Sequence, residues 1–518
     1  MIFHSFNYLL LFLPTLLALY YLNKKSFSKN LILIIASYLF YAWGNPLWGM
    51  LLFLASSVDF AVARKLGNLN LKLEFAPENL QKKILRQKKI FLVASLCFNF
   101  GLLAFFKYWN WIADAFFLTH HGITIFDLRQ FKHSVAIPAG ISFYTFETVS
   151  YTVDVYRKKL KPTSSFINYL SFISFFPHLV AGPILRAHDL LPQLENLGSK
   201  NLTRHGSRPA LRGTPSSMGK IHAGITGKVA ESAFFLISWG LFKKIVFADN
   251  FGNLVQRSKE SLTIPGAGFV LAAAFFFQIY CDFSAYSDIA RGTARLFGIR
   301  IKRNFLTPLF AVSPSELGHR WHITLSAWVR DYIYTPLARK NHGKIIKTLI
   351  LLFTMALMGL WHGAGKFFVL WGIYYGLLMI LYRILPIDRL LIKLLGNLWG
   401  KVASITAMLS FNLFSSILFF VKTDKEFLET FQSFRKISYL VTDFNLLPLR
   451  FFELFWGLLI FVTPIIVTES IGFAYKREFV DMQKFFGSKT KIALYVTMFY
   501  VALFFGVRES SDFIYFQF

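Results

Sequence analysis

The chain has 518 residues, of which 55% are hydrophobic and 16% are charged, and its formal net charge is +29. A mean hydropathy of +0.48 excludes an array of soluble domains of this length. In a soluble protein, the excess of basic residues would indicate nucleic-acid binding. Here these residues cluster in loops between apolar runs, as the positive-inside rule requires, so we predict contact with membrane lipids and no nucleic-acid partner.

Apolar runs long enough to cross a bilayer recur along the chain, since a spanning helix needs about 17–25 residues. We therefore predict an all-α polytopic membrane protein with a single transmembrane domain over residues 1–518. The first run lacks a leading basic region and a small-residue cleavage site, which predicts a retained helix. The predicted spans lie near 6–22, 31–43, 47–63, 90–106, 135–156, 229–248, 266–284, 347–362, 367–385, 402–421, 451–472 and 491–507.

The basic loops give the predicted orientation. Lys24 and Lys25 follow the first span, and further basic clusters follow the third, the fifth and the 266–284 spans. Placing these loops in the cytoplasm puts both chain termini on the extracytoplasmic side. Residues 196–228 are rich in Gly, Ser, Arg and Lys, which predicts a long cytoplasmic loop.

Two stretches do not fit a simple crossing. In residues 166–186, Pro177 and the pair Gly182-Pro183 interrupt the helical pattern. A re-entrant hairpin and a kinked interfacial helix fit this stretch equally, and His178 within it fits a hydrogen-bonded structural residue as well as a functional one. Residues 319–336 are flanked by basic residues on both sides, so we expect them to be re-entrant or to lie on the membrane surface.

Several common chemistries have no motif in this chain. There is no phosphate-binding GxxxxGK[ST] loop, no HExxH zinc motif and no GxSxG elbow. The two cysteines, Cys97 and Cys281, both lie in apolar runs and predict neither disulfides nor a metal site. We therefore predict no bound metal and no bound cofactor.

The first candidate cluster surrounds His362. An imidazole at membrane depth is costly unless it faces the bundle interior or a cavity, so the default interpretation is a functional site. A core histidine bonded to a carbonyl is the structural alternative. Gly359 and Gly363 have the four-residue spacing that lets helices approach closely, and Trp361 lies between them.

The second cluster is Trp321, His322, Ser326, Trp328, Arg330 and Asp331. On a continuous helix, His322, Ser326 and Arg330 recur every four residues and share one face. Such a set could bind a phosphate- or pantetheine-bearing donor at the cytoplasmic mouth. An interfacial anchor of Trp and Arg is the structural alternative.

The third cluster is Asp282 and Asp288, at the end of an apolar run. A carboxylate in a span usually pairs with another polar group in the bundle. We expect one of them to orient His322 or to bind Arg330, as support for the site.

Seven strings of this chain resemble the membrane-bound O-acyltransferase family, in its bacterial branch for alginate O-acetylation and teichoic-acid D-alanylation. They occur in the family's order and cover most of the chain. The strings are PAGISFYTFETVSYTVDVYR (138–157), FFPHLVAGPILR (175–186), GLFKKIVFADN (240–250), YCDFSAYSDIARGTARLFGI (280–299), RWHITLSAWVRDYIYTPL (320–337), GLWHG (359–363) and the C-terminal FIYFQF.

The resemblance implies a fold, an activity and a location. It implies a ring of about 11–12 transmembrane helices with re-entrant helices around a central tunnel, in a bacterial plasma (inner) membrane. His362 would be the catalytic residue and His322 a second functional residue. A cytoplasmic acyl thioester, either acetyl-CoA or an acyl-carrier-protein ester, would donate to an extracytoplasmic hydroxyl on a polysaccharide or a partner protein.

The resemblance also implies an extracytoplasmic partner of the esterase-like Ser-Gly-Asn-His (SGNH) type. Residues 317–321 depart from the family's usual Phe-Trp-Arg-Arg-Trp, which leaves the donor contacts of that turn open. From the residues alone, a transporter or flippase for a glycan or a lipid-linked sugar fits equally, because intramembrane His and Asp and broken helices are typical of transporters too.

Overall fold

A computed structural model describes residues 1–119, 136–197, 226–339, 342–443, 447–507 and 513–514, with side chains excepted at 113–119 and 440–441. These residues form helices and connecting segments, and none of them is in a β-strand. The all-α prediction is therefore confirmed.

The α-helices are α1 Leu13–Leu22, α2 Ser26–Ala42, α3 Pro46–Phe75, α4 Glu78–Thr119, α5 Ile141–Tyr156, α6 Phe166–Ser174, α7 Phe176–Leu179, α8 Ala187–Glu195, α9 Gly227–Phe242, α10 Asp249–Glu260, α11 Ala267–Leu296, α12 Pro314–Arg320, α13 Ile323–Val329, α14 Thr335–Ala338, α15 Lys344–His362, α16 Lys366–Ile384, α17 Ile387–Phe420, α18 Asp424–Arg435, α19 Tyr439–Thr442, α20 Leu449–Ala474, α21 Phe479–Met482 and α22 Ser488–Phe505.

Shorter helical segments extend or join several of these helices. Asn7–Phe12, Lys243–Ala248 and Arg330–Tyr334 are π-helical, and Pro308–Phe310, Lys436–Ser438 and Gln483–Phe485 are 3₁₀-helical. A π-helical turn inside a helical run is rare in proteins, and those that occur are often at functional sites. The Lys243–Ala248 turn continues α9 directly into α10.

Among the described residues, eight helices are long and apolar enough to cross a bilayer, judged by length and composition: α3, α4, α11, α15, α16, α17, α20 and α22. Asn7–Leu22 and α2 are shorter apolar helices. The predicted spans 47–63 and 90–106 are parts of the much longer helices α3 and α4. The number of crossings predicted from the sequence stays a prediction.

Side-chain caps fix where several helices begin. The Asn45 side chain accepts a hydrogen bond from the Leu47 N–H at 3.0 Å, and Pro46 occupies the first turn of α3. Ser313 accepts from the Glu316 N–H at 3.3 Å at the start of α12. Such caps satisfy amide groups that lack a partner within the helix.

The chain divides into two compact units, the first formed by residues 1–237 and 289–302 and the second by 238–288 and 303–518. The single-domain prediction stays a prediction. In the first unit, α5 packs on α3 and α4, and its residues Ile141–Val155 are all buried. The predicted loop 196–228 lies mostly outside the described residues.

The irregular stretch 166–186 belongs to the first unit and breaks into α6, α7 and a turn. Its buried His178 lies against Glu147, with Nδ1 3.1 Å from a carboxylate oxygen, and its Nε2 is 3.3 Å from the Phe172 carbonyl. The Leu185 N–H donates to the same Glu147 oxygen at 2.7 Å. His178 therefore ties this stretch to α5, which agrees with the structural interpretation of this residue.

Candidate functional site

The second unit contains both candidate histidines. His362 is the last residue of α15 and is 7% exposed. Its imidazole is enclosed by aromatic rings in edge-to-face contact, with centroid distances of 4.7 Å to Trp361 and 5.0 Å to each of Trp371 and Phe419. The chain turns directly after this imidazole, because Gly363 and Gly365 flank the gap before α16.

Glycines bring α15 and α16 together next to His362. A Cβ on Gly359 would lie 2.1 Å from the Phe368 carbonyl oxygen, and one on Gly372 would lie 2.1 Å from the Met355 carbonyl oxygen. A Cβ on Gly363 would lie 2.2 Å from the Phe368 ring. The close helix approach predicted from the Gly359 and Gly363 spacing is confirmed, and it fixes the end of α15 that carries His362.

Residues 319–336 do not form one continuous helix, and whether they are re-entrant or lie on the membrane surface stays a prediction. α12 ends at Arg320 and α13 begins at Ile323, and His322 between them adopts φ 41° and ψ 52°. This left-handed conformation is uncommon for a residue with a side chain and often accompanies a functional site. His322, Ser326 and Arg330 therefore do not share one helical face as predicted.

Two backbone hydrogen bonds flank His322 and fix its conformation. The Leu306 N–H donates to the Arg320 carbonyl, and the Ile323 N–H donates to the Asn304 carbonyl, each at 2.9 Å. The Thr324 hydroxyl donates to the Asn304 side-chain oxygen at 2.6 Å. Segment 304–306 thus holds the turn from both sides.

The His322 side chain is 3% exposed, and burial lowers the pKa of its imidazole to about 3. A charged group loses more hydration on burial than a neutral one, so the neutral form dominates at physiological pH. Its ring contacts Phe283 on α11 edge-to-face, with the centroids 4.6 Å apart. A neutral imidazole has one N–H donor and one acceptor nitrogen.

The rest of the second predicted cluster divides between interior and surface. Trp321 is half-buried against α11, and the partly buried Ser326 donates to the Trp321 carbonyl at 3.4 Å. Arg330 has a side chain that is 51% exposed, and it pairs with Asp331 at 2.9 Å. The structure therefore places Trp321 with His322, and places Arg330 and Asp331 together nearer the surface.

Lysines are the ion-pair partners of the two aspartates, in place of the expected Arg330. Lys243 contacts Asp288 at 2.8 Å and donates to the Ser284 hydroxyl at 2.9 Å. Lys244 lies between Asp249 at 2.8 Å and Asp282 at 3.0 Å. Both lysines belong to the π-helical turn.

Lys243, Lys244 and Asp249 are not among the site residues predicted from the sequence. A signal was present, because two lysines inside the apolar run 229–248 would be costly in a bilayer without partners. The pairing itself follows only from the packing of the π-helical turn on α11.

The described part of the C-terminal string also packs on α11. The Ile514 N–H donates to Asp282 at 2.5 Å, and the ammonium of Lys244 lies 4.9 Å from the centre of the Phe513 ring. Ile514 belongs to an apolar cluster with Phe275 and Phe419. Residues 515–518 of the string lie outside the described residues.

Helix α11 connects the surroundings of both histidines. Phe419, which contacts His362, also contacts Phe275 of α11 at a ring distance of 6.3 Å. Phe283, which contacts His322, is eight residues further along the same helix. At 1.5 Å per residue the two contact points are about 12 Å apart along the helix axis.

Several known proteins are similar in sequence to this chain over most of its length. A profile of the membrane-bound O-acyltransferase family matches residues 102–420. A probable alginate O-acetylase of Pseudomonas aeruginosa is 35% identical over 393 residues, which are 75% of this chain and 67% of that protein. One from Pseudomonas syringae pv. tomato is 34% identical over the same shares. A peptidoglycan O-acetyltransferase of Helicobacter pylori is 29% identical over 416 residues, which are 74% of this chain and 70% of that protein.

This chain belongs to the membrane-bound O-acyltransferase family. It is a multi-pass membrane protein and an O-acyltransferase. The resemblance drawn from the seven strings is thereby confirmed.

Proposed function

We propose that this protein transfers an acetyl group from a cytoplasmic thioester to a hydroxyl of an extracytoplasmic polysaccharide or partner protein. The observation that carries the proposal is His362, a buried imidazole at the end of an apolar helix, enclosed by aromatic rings and fixed by glycine packing. A titratable group in such surroundings is costly to keep without a function. The names of the acetyltransferase relatives favour acetyl as the transferred group.

His362 acts as the general base in this proposal. One imidazole nitrogen takes the proton of the acceptor hydroxyl while the hydroxyl oxygen bonds to the thioester carbonyl carbon. The tetrahedral intermediate then expels the thiolate, which takes that proton from the imidazolium and leaves as a thiol. A positioned base typically contributes about 10²–10⁴-fold to the rate. Transfer is direct, with no acyl-enzyme.

In this proposal, His322 and Trp361 donate hydrogen bonds to the carbonyl oxygen of the thioester. Since His322 stays neutral, its single N–H can donate to the oxygen that becomes negative, without adding a buried charge. The indole N–H of Trp361 is a second donor of the same kind. Donors fixed before the reaction stabilise a developing oxyanion strongly in a site that excludes water.

The donor is acetyl-CoA or an acyl-carrier-protein thioester, and Trp321, Ser326, Arg330 and Asp331 contribute to its binding. Asp282 and Asp288 support the site through Lys244 and Lys243. The protein resides in a bacterial inner membrane with both termini outside the cytoplasm. A partner of the SGNH type completes transfer to the polysaccharide.

The test uses purified protein in detergent with radiolabelled acetyl-CoA and a soluble glycan acceptor, in the presence and in the absence of a purified SGNH-type partner. Without a membrane there is no gradient, so acetyl transfer supports an enzyme and not a flippase. Transfer by the protein alone also argues against a scaffold that only docks another enzyme. His362→Ala should lower transfer at least about 10²-fold while the protein still inserts and purifies as the wild type does. Near-normal acetylation by this variant would end the assignment.

A further inference from the structure

A partly buried carboxyl group, Glu469, lies near the histidine site. Glu469 is on α20, a helix that is long and apolar enough to span the membrane. It accepts a hydrogen bond from the Tyr280 hydroxyl at 2.5 Å. The charges that act on its carboxylate come from the cations Lys243 and Arg320 and from the anion Glu478. A carboxyl group within a spanning helix is expensive, so its contact with Tyr280 calls for a functional reason.

Tyr280 forms part of an aromatic cage around the indole of Trp321. The cage consists of Phe276, Tyr280 and Phe305, at ring distances of 5.6, 5.7 and 5.3 Å from Trp321. Phe276 stacks nearly parallel to the indole, and Phe305 meets it edge-on. The Tyr280 ring also contacts Phe305 at 5.5 Å. An indole enclosed on several sides has little rotational freedom.

Trp321 immediately precedes His322, the residue with the left-handed backbone. Such a conformation is unfavourable and persists only where the surroundings fix it. The backbone N–H of Trp321 donates to the Leu317 carbonyl at 2.7 Å. The backbone of Trp321 is therefore held by this hydrogen bond, and its indole by the aromatic cage. A shift of the indole in its cage would therefore change the direction of the imidazole.

We propose that Glu469 is a positioning residue for His322, acting through Tyr280 and Trp321. Its hydrogen bond fixes the Tyr280 ring, the ring fixes Trp321, and Trp321 fixes the backbone that presents the imidazole. This inference rests on the proposed role of His322 in acyl transfer. It assigns a function to a hydrogen bond that joins two residues 189 positions apart.

Steady-state kinetics of the full-length protein with acetyl-CoA test the proposal. Tyr280→Phe keeps the ring and removes the hydroxyl, and Glu469→Leu removes the acceptor. Each should lower kcat about 10-fold with KM for acetyl-CoA changed less than about twofold, because misplaced groups slow the chemical step. Glu469→Gln keeps an acceptor oxygen and should retain at least about half of the wild-type kcat. The double variant should be no slower than the slower single variant, because both changes break one interaction.

Tyr8→Phe is the matched control, since it removes another buried tyrosine hydroxyl, one bonded to Thr293 at 2.9 Å within the first unit. It should keep the wild-type kcat. Equal losses in Tyr8→Phe and Tyr280→Phe, or no loss in Tyr280→Phe, would overturn the proposal.

A measurement that needs no activity separates this inference from the proposed function. In protein labelled with 5-fluorotryptophan, the Trp321 resonance is assigned by its disappearance in Trp321→Phe. It should shift in Tyr280→Phe and Glu469→Leu, and should stay in place in Glu469→Gln and Tyr8→Phe. An unchanged resonance in the first two variants overturns the positioning role. If wild-type protein transfers no acyl group, the proposed function fails while this measurement still decides the positioning of Trp321.

Discussion

At the scale of single residues, the two histidines are buried in different ways. His362 ends a regular helix, and aromatic rings and glycines of α15, α16 and α17 surround it. His322 lies between two short helices in a left-handed conformation, held by backbone hydrogen bonds on both sides. In the proposed reaction the first accepts a proton and the second donates a hydrogen bond, and the neutral state of His322 suits its role.

The pKa of His322 predicts how stability depends on pH. Its value is about 3 in the folded protein against 6.5 for an unperturbed histidine. The unfolded chain therefore binds a proton below pH 6.5 that the folded protein does not, so this residue lowers stability as the pH falls from 6.5 toward 3. At pH 5 the loss amounts to about 2 kcal/mol.

His322→Gln removes this proton uptake, so the variant should lose less stability than the wild type between pH 6.5 and pH 4.5. Thermal unfolding in detergent at a series of pH values measures the difference. His319→Gln, an exposed position three residues earlier, serves as the control and should follow the wild type. Parallel curves for wild type and His322→Gln would contradict burial of this imidazole.

At the scale of elements, the packing of α15 on α16 determines where His362 lies. Gly359→Ala would place a Cβ against backbone atoms, which cannot rotate away as a side chain can. Overpacking of this kind costs about 1–3 kcal/mol, so the variant should unfold at lower temperature and lose acyl transfer as the end of α15 shifts.

The helical Gly101 is the control for Gly359, because a Cβ there meets nothing within 4 Å. Gly101→Ala should be neutral or slightly stabilising, since alanine favours helix over glycine. If Gly359→Ala were as stable and active as Gly101→Ala, the close approach of the two helices would be wrong.

The ion pairs between the π-helical turn and α11 give another prediction at this scale. Lys244→Met leaves Asp249 and Asp282 buried without their shared cation, and removing one partner of a buried ion pair costs about 3–5 kcal/mol. The loss should appear as a large fall in unfolding temperature.

Lys259→Met breaks a pair with Glu426 in which the lysine side chain is 47% exposed. Its effect should stay within about 1 kcal/mol, since water screens exposed pairs. Comparable losses for Lys244→Met and Lys259→Met would show that the buried pair carries little of the stability of the second unit.

At the scale of the whole molecule, the distribution of basic loops predicts the orientation in the membrane. In a Cys97→Ser background, a cysteine at position 24 should lie in the cytoplasm and one at position 425 outside it. Both positions are exposed, and the remaining Cys281 is buried. A membrane-impermeant maleimide applied to intact cells should therefore label Lys425→Cys and not Lys24→Cys. Reversed labelling would invert the predicted topology, and lysed cells, where both should react, give the control.

The class of protein and the helical fold were predictable from the sequence, which also indicated His322 and His362 as candidate site residues. Hydropathy, helix length and small-residue spacing are local properties, so they can be read without knowing which helices meet. The seven family strings predicted the acyltransferase activity, because a family is recognised from the order of residues along the chain.

The contacts that hold these residues in place could not be predicted from the sequence. The helical period predicted one face for His322, Ser326 and Arg330, but the hydrogen bonds from Leu306 and Ile323 favour a break at that point. The lysine partners of Asp282 and Asp288 are about 40 residues away in sequence, and Glu469 is 189 residues from Tyr280. Which distant groups pair depends on which helices pack together, because a buried polar group is stabilised only by the partners that packing brings to it.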